Sequence, residues 1–320
     1  MKRVSILVLS LLVVLSLSVF AGAKEYKVGI ILDTGGLGDQ SFNDAAYRGL
    51  MKAQKEFGVK TTYVESKVMD DYEPNVRMLA EQGYNLIFGI GFLLTDAIDR
   101  VAQEYPDVKF GIIDSVVDQP NVLSVLFKEQ EGSFLQGVIA GMMTKNNSVG
   151  FVGGMESPVI TRFEVGFVNG VKAVNPKAKI SIAYTGKFDD PVKGKEVALA
   201  QIANGADVVY HASGACGNGV IEAAKEKGVY AIGVDSDQSH LAPATVISSM
   251  LKMVDVAVYD GAQMVVAGKF KGGLLNLGLA DNGVGTAWSP GVNVPAAVRA
   301  KVDEYAKKIA SGNLIVPDTK

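Results

Sequence analysis

The sequence predicts an α/β protein made of two doubly wound parallel-sheet lobes joined by a hinge. Short runs rich in Val, Ile and Leu alternate with stretches of helical periodicity, a pattern typical of parallel sheets covered by helices on both faces. The chain of 320 residues is long enough for two domains with separate cores. The same order of strand–helix units also returns after 121 residues, a separation illustrated by Asp114 and Asp235.

Ten apolar runs are expected to form strands, because β-branched residues are frequent in them and turn residues flank them. In chain order, the expected strands are Val28–Leu32, Thr61–Val64, Asn85–Ile90, Phe110–Ile113, Val122–Leu126, Val149–Val152, Ile180–Tyr184, Val208–Tyr210, Ala231–Val234 and Val246–Ser249. Eight stretches with apolar residues at helical spacing are expected to form helices. In chain order, the expected helices are Asn43–Phe57, Tyr72–Gln82, Leu94–Tyr105, Phe134–Met143, Arg162–Val174, Lys193–Asn204, Gly217–Lys227 and Met253–Ala267.

The two lobes are predicted from the internal repeat. Under the shift of 121 residues, strands fall on strands and Gly29 falls on Gly150, although identities only slightly exceed chance. A period this long indicates two copies of one α/β lobe rather than a solenoid. The expected division is lobe 1 at 24–127 plus about 250–272, lobe 2 at 128–249 plus about 273–311, and a tail at 312–320. The strand-like Leu274–Leu279 is expected to help complete the lobes.

The first 23 residues are predicted to be a cleavable export signal. Lys2 and Arg3 form a basic start, residues 4–20 are apolar apart from serines, and residues 21–23 read Ala-Gly-Ala, which suits a cleavage site. An uncleaved membrane anchor is the alternative, since about 17 apolar residues nearly span a bilayer. No cysteine lies near the cleavage point, so lipid attachment is not expected there. The predicted location is a periplasm.

Charge and composition exclude several classes of function. The chain has 31 Lys and Arg against 34 Asp and Glu, a net charge of −3, so no basic surface indicates nucleic-acid binding. The single cysteine, Cys216, excludes an internal disulfide and a Cys-based zinc site. His211 and His240 are the only histidines, so a histidine-rich metal site is not expected, and no cofactor is predicted.

Doubly wound sheets bind ligands beyond the carboxyl ends of their strands, and candidate binding residues follow the first expected strand. Asp33 ends that strand and leads into three glycines, which let a backbone turn tightly and approach a ligand closely. Ser41, Phe42 and Asn43 come next, and Phe42 is a large aromatic residue with little core to enter. The alternatives are Asp33 as a turn residue and Ser41 as a helix N-cap.

The second lobe repeats this arrangement. Phe163 is the counterpart of Phe42, and aromatic residues on opposing lobes could sandwich a flat ligand, although a buried helix position is equally open for Phe163. Asp114 and Asp235 both end strands, where acceptor-only carboxylates suit ribose hydroxyls or base N–H groups. Helix capping is the alternative for both. Lys252 could reach the cleft from the hinge, with a solvated lysine as the alternative.

A glycine-rich segment follows the strand that ends at Tyr210. It reads His211-Ala-Ser-Gly214-Ala-Cys-Gly-Asn-Gly219, and its spacing is only weakly similar to a phosphate-binding loop. It is interpreted as a close backbone approach to an uncharged ligand, with His211 or Tyr210 offering a flat face. Cys216 has no partner pairing that the sequence reveals and is interpreted as a small apolar residue.

Several segments together resemble the basic membrane protein family of solute receptors, especially its purine nucleoside receptor branch. They are Asp33–Asn43, Phe151–Pro158 leading to Phe163–Phe167, and Tyr210–Val220. The resemblance covers residues 24–311. It implies a type I periplasmic-binding-protein fold that delivers guanosine, adenosine or inosine to the membrane permease of an ABC importer. It also implies a purine stacked between aromatic residues and a ribose held by acidic and lysine side chains.

The resemblance assigns roles to individual residues of this chain. Phe42 is the first stacking residue, and the polar or backbone contacts are Asp33, Asn43, Asp114, Gly214, Asp235 and Lys252. The second stacking residue stays open between His211, which lies where the family places an aromatic, its neighbour Tyr210, and Phe163, which the repeat favours. Many family members are lipoproteins, and the absence of an N-terminal cysteine here departs from that pattern.

Three other functions remain as alternatives. A sugar receptor of the same fold would also stack its ligand on aromatic rings. An exported nucleoside hydrolase or phosphorylase is disfavoured, because no acid/base pair, metal cluster or activated nucleophile can be recognised in the sequence. A sensory lobe that presents bound ligand to a chemoreceptor would share the binding site. The chain is accordingly expected to bind its ligand without altering it.

Overall fold

The computed structural model describes residues 25–320, so the expected export signal at 1–23 lies outside the described residues. Within residues 25–320, the strands are β1 Lys27–Leu32, β2 Lys60–Glu65, β3 Leu86–Ile90, β4 Lys109–Ile113, β5 Val122–Phe127, β6 Ser148–Gly153, β7 Lys179–Tyr184, β8 Val208–Ala212, β9 Tyr230–Asp235, β10 Val246–Lys252, β11 Gly273–Leu277 and β12 Val284–Trp288. The α-helices are α1 Phe42–Phe57, α2 Tyr72–Glu81, α3 Thr95–Glu104, α4 Glu129–Met143, α5 Pro158–Val174, α6 Pro191–Ala203, α7 Cys216–Lys227, α8 Val254–Val266 and α9 Ala296–Ala310.

The strands form two six-stranded sheets with the same internal order. The first sheet runs β11-β5-β4-β3-β1-β2 and the second runs β12-β10-β9-β8-β6-β7. Strands β1 and β6 begin at Lys27 and Ser148, so the repeat of 121 residues predicted from the sequence corresponds to a repeat of topology. The two lobes differ at one edge, because β11 is parallel to β5 whereas β12 is antiparallel to β10.

The expected lobe boundary at 272/273 is wrong. The strand Gly273–Leu277 pairs with β5 in the first sheet, so lobe 1 extends at least to Leu277. Strand β10 likewise keeps the chain in the second sheet as far as Lys252. The chain therefore passes between the lobes at three segments, which are 127–129, 252–254 and 277–284.

Sequence periodicity missed two late elements. Strand β12 contains Gly285 and Ala287, so it lacks the continuous β-branched run that marks the parallel strands. Its position at the sheet edge in antiparallel pairing does not require such a run. Helix α9 is rich in Lys and Ala and buries only Val298, Val302 and Ile309, which leaves a weak apolar stripe.

Helix α4 carries the first passage between the lobes into the core of lobe 2. It packs on α5 so closely that a Cβ on Gly137 would lie 2.2 Å from the carbonyl oxygen of Phe167. A Cβ on Gly170 would lie 2.0 Å from the carbonyl oxygen of Phe134. Glycine is required at both positions, and this tight contact fixes the N-terminus of α4 at the edge of the cleft between the lobes.

Candidate functional site

A cavity lies between the two lobes, at the carboxyl ends of strands from both sheets. Its empty volume, counting the space open to solvent at its mouth, is about 520 Å³. Eight of the ten expected site residues line it: Asp33, Phe42, Asn43, Asp114, Phe163, Gly214, Asp235 and Lys252. Phe42 from lobe 1 and Asp235 from lobe 2 therefore share one cavity, as the sequence argument required.

The backbone presents Asp114 and Asp235 in the same unusual way. Asp114 follows β4 with φ 67° and Asp235 ends β9 with φ 61°. Left-handed backbone is uncommon outside glycine, and Asp and Asn are the residues that tolerate it best. Since the two positions are equivalent in the repeat, each lobe turns an acidic side chain into the cleft by the same local conformation.

A buried ion-pair chain lies where the lobes are joined. The Lys252 Nζ donates to Asp114 Oδ2 at 2.6 Å and lies 2.9 Å from Glu129 Oε1. The Nε of Arg162 donates to the other carboxylate oxygen of Glu129 at 2.5 Å. Asp114 comes from lobe 1 and Arg162 from lobe 2, so the alternating charges run from one lobe to the other. Sequence reasoning missed Glu129 and Arg162, because no local signal marks them.

Burial and pairing act in opposite directions on these groups. Burial raises the pKa of Asp114 to about 6 despite the attraction of Lys252. Burial opposes ionisation of Glu129, but Lys252 and Arg162 outweigh it and lower the pKa of Glu129. Burial would also lower the pKa of Lys252, yet the surrounding carboxylates raise it. The lysine therefore stays charged at neutral pH although its side chain is buried.

The loop after β1 is organised by two carboxylates. Asp39 accepts hydrogen bonds from the backbone N–H groups of Ser41, Asn43 and Asp44 at 2.9, 2.8 and 3.1 Å, and so caps α1 in place of Ser41. The Nδ2 of Asn43 donates to Asp33 Oδ1 at 2.8 Å. This leaves the buried Oδ1 of Asn43 without a partner, an acceptor free for a ligand at the cavity wall.

Replacing Asp33 by asparagine is expected to stabilise the unliganded protein at neutral pH. Burial raises the pKa of this carboxyl from 3.8 to about 6, so the folded state binds the proton more tightly than the unfolded chain does. As the pH rises from about 4 to beyond about 6, ionisation of the native carboxyl therefore lowers the free energy of unfolding by an amount on the order of 2–3 kcal/mol. Asparagine does not ionise, so the variant does not lose this stability as the pH rises.

Thermal melts of the Asp33→Asn variant and of wild type measure this effect. A higher Tm for the variant at about pH 8, shrinking towards about pH 4, is the expected result. An equal Tm at the higher pH would contradict it. Ligand affinity should fall in the same variant, because an amide group presents one acceptor where the carboxylate presents two.

Hydrogen bonds across the mouth of the cleft hold the lobes together. The Ser41 hydroxyl donates to Asp235 Oδ2 at 2.5 Å, and the Ser236 hydroxyl donates to the carbonyl oxygen of Ser41 at 3.0 Å. The Nη2 of Arg48 also donates to the Ser236 Oγ at 2.7 Å. Ser41 does not line the cavity, so the structure places this expected site residue as a link between the lobes that orients Asp235.

Four phenylalanines line the cavity. Lys252 Nζ lies 5.2 Å from the Phe42 ring centre and 5.4 Å from that of Phe163, so these two rings lie towards the join between the lobes. Phe92 of lobe 1 and Phe188 of lobe 2 make an edge-to-face contact at 6.3 Å across the cleft. Sequence analysis missed both, since each follows an ordinary turn and has no counterpart in the repeat.

The other two candidates for a stacking residue lie in the core of lobe 2. The His211 side chain is fully buried, its Nε2 is bonded to Gln238 Oε1 at 2.9 Å, and burial lowers its pKa to about 4. Tyr210 is also fully buried and shares a hydrogen bond with the Ser133 hydroxyl. Neither lines the cavity, so the structure does not bring the expected site residue His211 to the cavity wall.

Cys216 anchors the loop that carries Phe188. Its backbone N–H donates to the carbonyl oxygen of Phe188 at 3.2 Å, and its Sγ donates to that of Lys187 at 3.3 Å. The same sulfur accepts from the backbone N–H of Asp190 at 3.3 Å. The interpretation of Cys216 as an apolar filler missed these contacts, which hold the loop against the N-terminus of α7.

Two α/β lobes that close on a cavity lined by both define a solute-binding protein of the type I periplasmic-binding-protein fold. Residues 26–320 match the family described as "ABC transporter substrate-binding protein PnrA-like". The chain belongs to this family of ABC-transporter substrate-binding proteins, which confirms the resemblance to basic membrane proteins.

Named relatives and a solved structure support this assignment. The chain is 37% identical to the "ABC transporter nucleoside-binding protein BmpA" of Lactococcus lactis, over 99% of each chain. It is 38% identical to an "uncharacterized lipoprotein" of Pyrococcus abyssi, over 98% of this chain and 82% of the relative. A crystal structure of ABC-transporter solute-binding proteins from Aeropyrum pernix matches with a TM-score of 0.84 and 31% identity, covering 91% of this chain and 94% of that one. Within residues 25–320, no helix combines the length and apolarity needed to cross a membrane.

Proposed function

We propose that this substrate-binding protein takes purine nucleosides in its inter-lobe cavity and presents them, unaltered, to the membrane permease of an ABC importer. One observation supports this ligand class above others. The cavity combines aromatic rings from both lobes with two buried acceptor oxygens that lack partners, Asn43 Oδ1 and Asp114 Oδ1. A nucleoside supplies a flat base for the rings and hydrogen-bond donors at both of its ends.

The base belongs at the end of the cavity formed by the loop after β1. A Cβ on Gly35 would lie 3.0 Å from Asp33 Oδ1 and 3.9 Å from the Cβ of Phe188. A Cβ on Gly91 would lie 3.3 Å from the other Asp33 oxygen and 3.4 Å from the Phe42 ring. Phe42 and Phe188 thus both lie near the Asp33 carboxylate. We assign Phe188 as the second aromatic face and place Phe163 at the sugar end.

The ribose belongs beside Lys252. Asp114 Oδ2 is already paired with Lys252 whereas Asp114 Oδ1 is free, so one ligand hydroxyl can accept from the ammonium and donate to the carboxylate. Asp235 offers a further carboxylate oxygen beyond the one that Ser41 occupies. Hydroxyl groups both donate and accept, and adjacent hydroxyls of a ribose suit this alternation of donor and acceptor.

The charges in the cavity favour an unphosphorylated ligand. Four aspartates line it, Asp33, Asp39, Asp114 and Asp235, against the single ammonium of Lys252. A phosphate would meet carboxylates and find the lysine already shared by two acidic partners. Like charges in a closed site are strongly disfavoured, so we expect nucleosides to bind and nucleoside monophosphates to be rejected.

Calorimetric titration tests the proposal directly. Guanosine, adenosine and inosine are titrated into protein that has been unfolded, freed of small molecules and refolded, and ribose, arabinose and inosine 5′-monophosphate serve as comparisons. Stoichiometric binding of at least one nucleoside, with weak or absent binding of the sugars and the monophosphate, is the expected result. Binding of pentoses without nucleosides would favour a sugar receptor, and free base accumulating on long incubation would favour a nucleoside-cleaving enzyme.

We also propose that the protein works outside the cytoplasmic membrane, guided there by residues 1–23. The family consists of ABC-transporter substrate-binding proteins, which meet their permease on that side. The relative from Pyrococcus abyssi is named a lipoprotein, whereas the one cysteine of this chain is the buried Cys216. We therefore propose a periplasmic location for this chain.

A further inference from the structure

We propose that Glu129, which Arg162 holds in place, is a positioning residue. It fixes the Lys252 ammonium at the point where the ammonium contacts the hydroxyl groups of the ligand. The inference rests on the proposed function for the identity of the ligand. It goes beyond that function by assigning a role to two residues that do not line the cavity. Its basis is the location of the three side chains relative to the passages between the lobes.

Glu129 and Lys252 lie on two different passages between the lobes. Glu129 begins α4 directly after β5, and Lys252 ends β10 directly before α8. Their side chains are 0% and 1% exposed, and Nζ and Oε1 lie 2.9 Å apart. The pair therefore links two of the segments about which the lobes would move. Neither residue belongs to a loop that binds the ligand.

The ammonium needs a fixed partner besides Asp114. A lysine carries three N–H donors, and the rings of Phe42, Phe127 and Phe163 surround Nζ at 5.2, 5.2 and 5.4 Å. Ring faces attract the cation but give it no directional hydrogen bond. Asp114 accepts one of these donors, and Glu129 Oε1 holds the ammonium as an ion pair at 2.9 Å without a hydrogen bond of its own, so donors are left for the ligand. Without Glu129, the ammonium is free to turn fully towards the aspartates.

Arg162 holds Glu129 in turn. Its Nε donates to Glu129 Oε2, while Oε1 faces Lys252, so the two carboxylate oxygens serve two different cations. Glu129 also lies at the N-terminus of α4, where the helix dipole favours a negative charge. The Arg162 side chain is 18% exposed and does not line the cavity, so it acts on the ligand only through Glu129.

Binding measurements separate positioning from mere support of the fold. Wild type, Glu129→Gln and Arg162→Lys are titrated with inosine and with 2′,3′-dideoxyinosine, which keeps the base but lacks two hydroxyls. We expect Glu129→Gln to lose about tenfold in inosine affinity and less than about twofold for the dideoxy ligand. Arg162→Lys keeps the positive charge, so its inosine affinity should fall by less than that of Glu129→Gln. An equal loss for both ligands would mean that Glu129 only supports the fold and would overturn the proposal.

A matched control and a ligand-free readout complete the test. Glu104→Gln removes an acidic partner of Arg77 from an exposed pair and should leave both affinities unchanged. Among the lysines of residues 25–320, Lys252 is the one that is buried, so its ammonium should give the most slowly exchanging lysine signal in nitrogen-15 NMR of unliganded protein. In Glu129→Gln this signal should shift and exchange faster, and an unchanged signal would overturn the proposal even if the variant binds poorly.

The two readouts also separate this inference from the proposed function. If wild type binds no nucleoside while the ammonium signal responds to Glu129→Gln, the ligand assignment fails and the positioning of Lys252 stands. If wild type binds inosine while the variant's signal and affinity are both unchanged, the positioning role fails and the ligand assignment stands.

Discussion

Replacing Lys252 by methionine is expected to abolish measurable nucleoside binding and to lower the free energy of unfolding by about 3–5 kcal/mol at neutral pH. Methionine fills a similar volume between the phenylalanine rings but removes the charge. Asp114 and Glu129 would then be left buried, 5% and 0% exposed, without the cation that both contact. A buried carboxylate without a counter-charge is among the costliest defects in a protein interior.

The pH dependence gives the Lys252→Met prediction its sharpest test. Without the lysine, the folded-state pKa of Asp114 should rise above the value of about 6 to which burial already raises it. A carboxyl with a raised pKa costs stability only above its unfolded pKa of about 4. The deficit in the free energy of unfolding should therefore shrink as the pH falls towards about 4. A deficit independent of pH would point to lost packing instead.

Lys195→Met is the matched control. Lys195 pairs with Glu222 and Glu226 at 2.7 and 3.2 Å, but these glutamates are 64% and 46% exposed. Exposed ion pairs contribute about 0–1 kcal/mol, so this variant should fold and bind like wild type. Nucleoside binding by Lys252→Met within about twofold of wild type would contradict the role of the lysine.

The sequence was sufficient to predict the sheets because their physics is local and repetitive. Parallel strands buried on both faces need continuous apolar runs, and these runs mark β1 as clearly as β6. The repeat of 121 residues then predicted that the chain holds two copies of one lobe. Strand β12 was not predicted because an antiparallel edge strand needs no such run. The lobe boundary near residue 272 was misplaced because no local feature of the sequence shows which sheet β11 joins.

Site residues were predictable where strand ends expose them. Asp114 directly follows β4 and Asp235 ends β9 at the equivalent position of the repeat, and both line the cavity. His211 was misjudged because a strand-end side chain can point into the core as well as out of it, and its ring packs over Gly217, where a Cβ would lie 1.9 Å from the ring. Glu129 was not predictable, since its partners are 33 and 123 residues away along the chain.

Phe42→Ala is expected to weaken nucleoside binding by about 1–3 kcal/mol, or roughly 5- to 150-fold. The ring belongs to the first residue of α1 and lines the cavity, so alanine removes one face of the stack. The ring also lies 5.2 Å from the Lys252 ammonium, and its loss lets water reach that charge. Titration of inosine, adenosine and guanosine into the variant measures the effect.

Comparison with three other phenylalanine-to-alanine variants assigns the effect to stacking. Phe188→Ala should weaken binding comparably, and the loss should be the same for inosine and 2′,3′-dideoxyinosine, because the ring would face the base. Phe163→Ala should weaken the binding of inosine more than that of the dideoxy ligand, because the proposal places that ring at the sugar end. Phe57 packs on Tyr259 outside the cavity, so Phe57→Ala should lower stability without changing affinity. If Phe42→Ala binds like Phe57→Ala, Phe42 has a structural role and the base does not stack upon it.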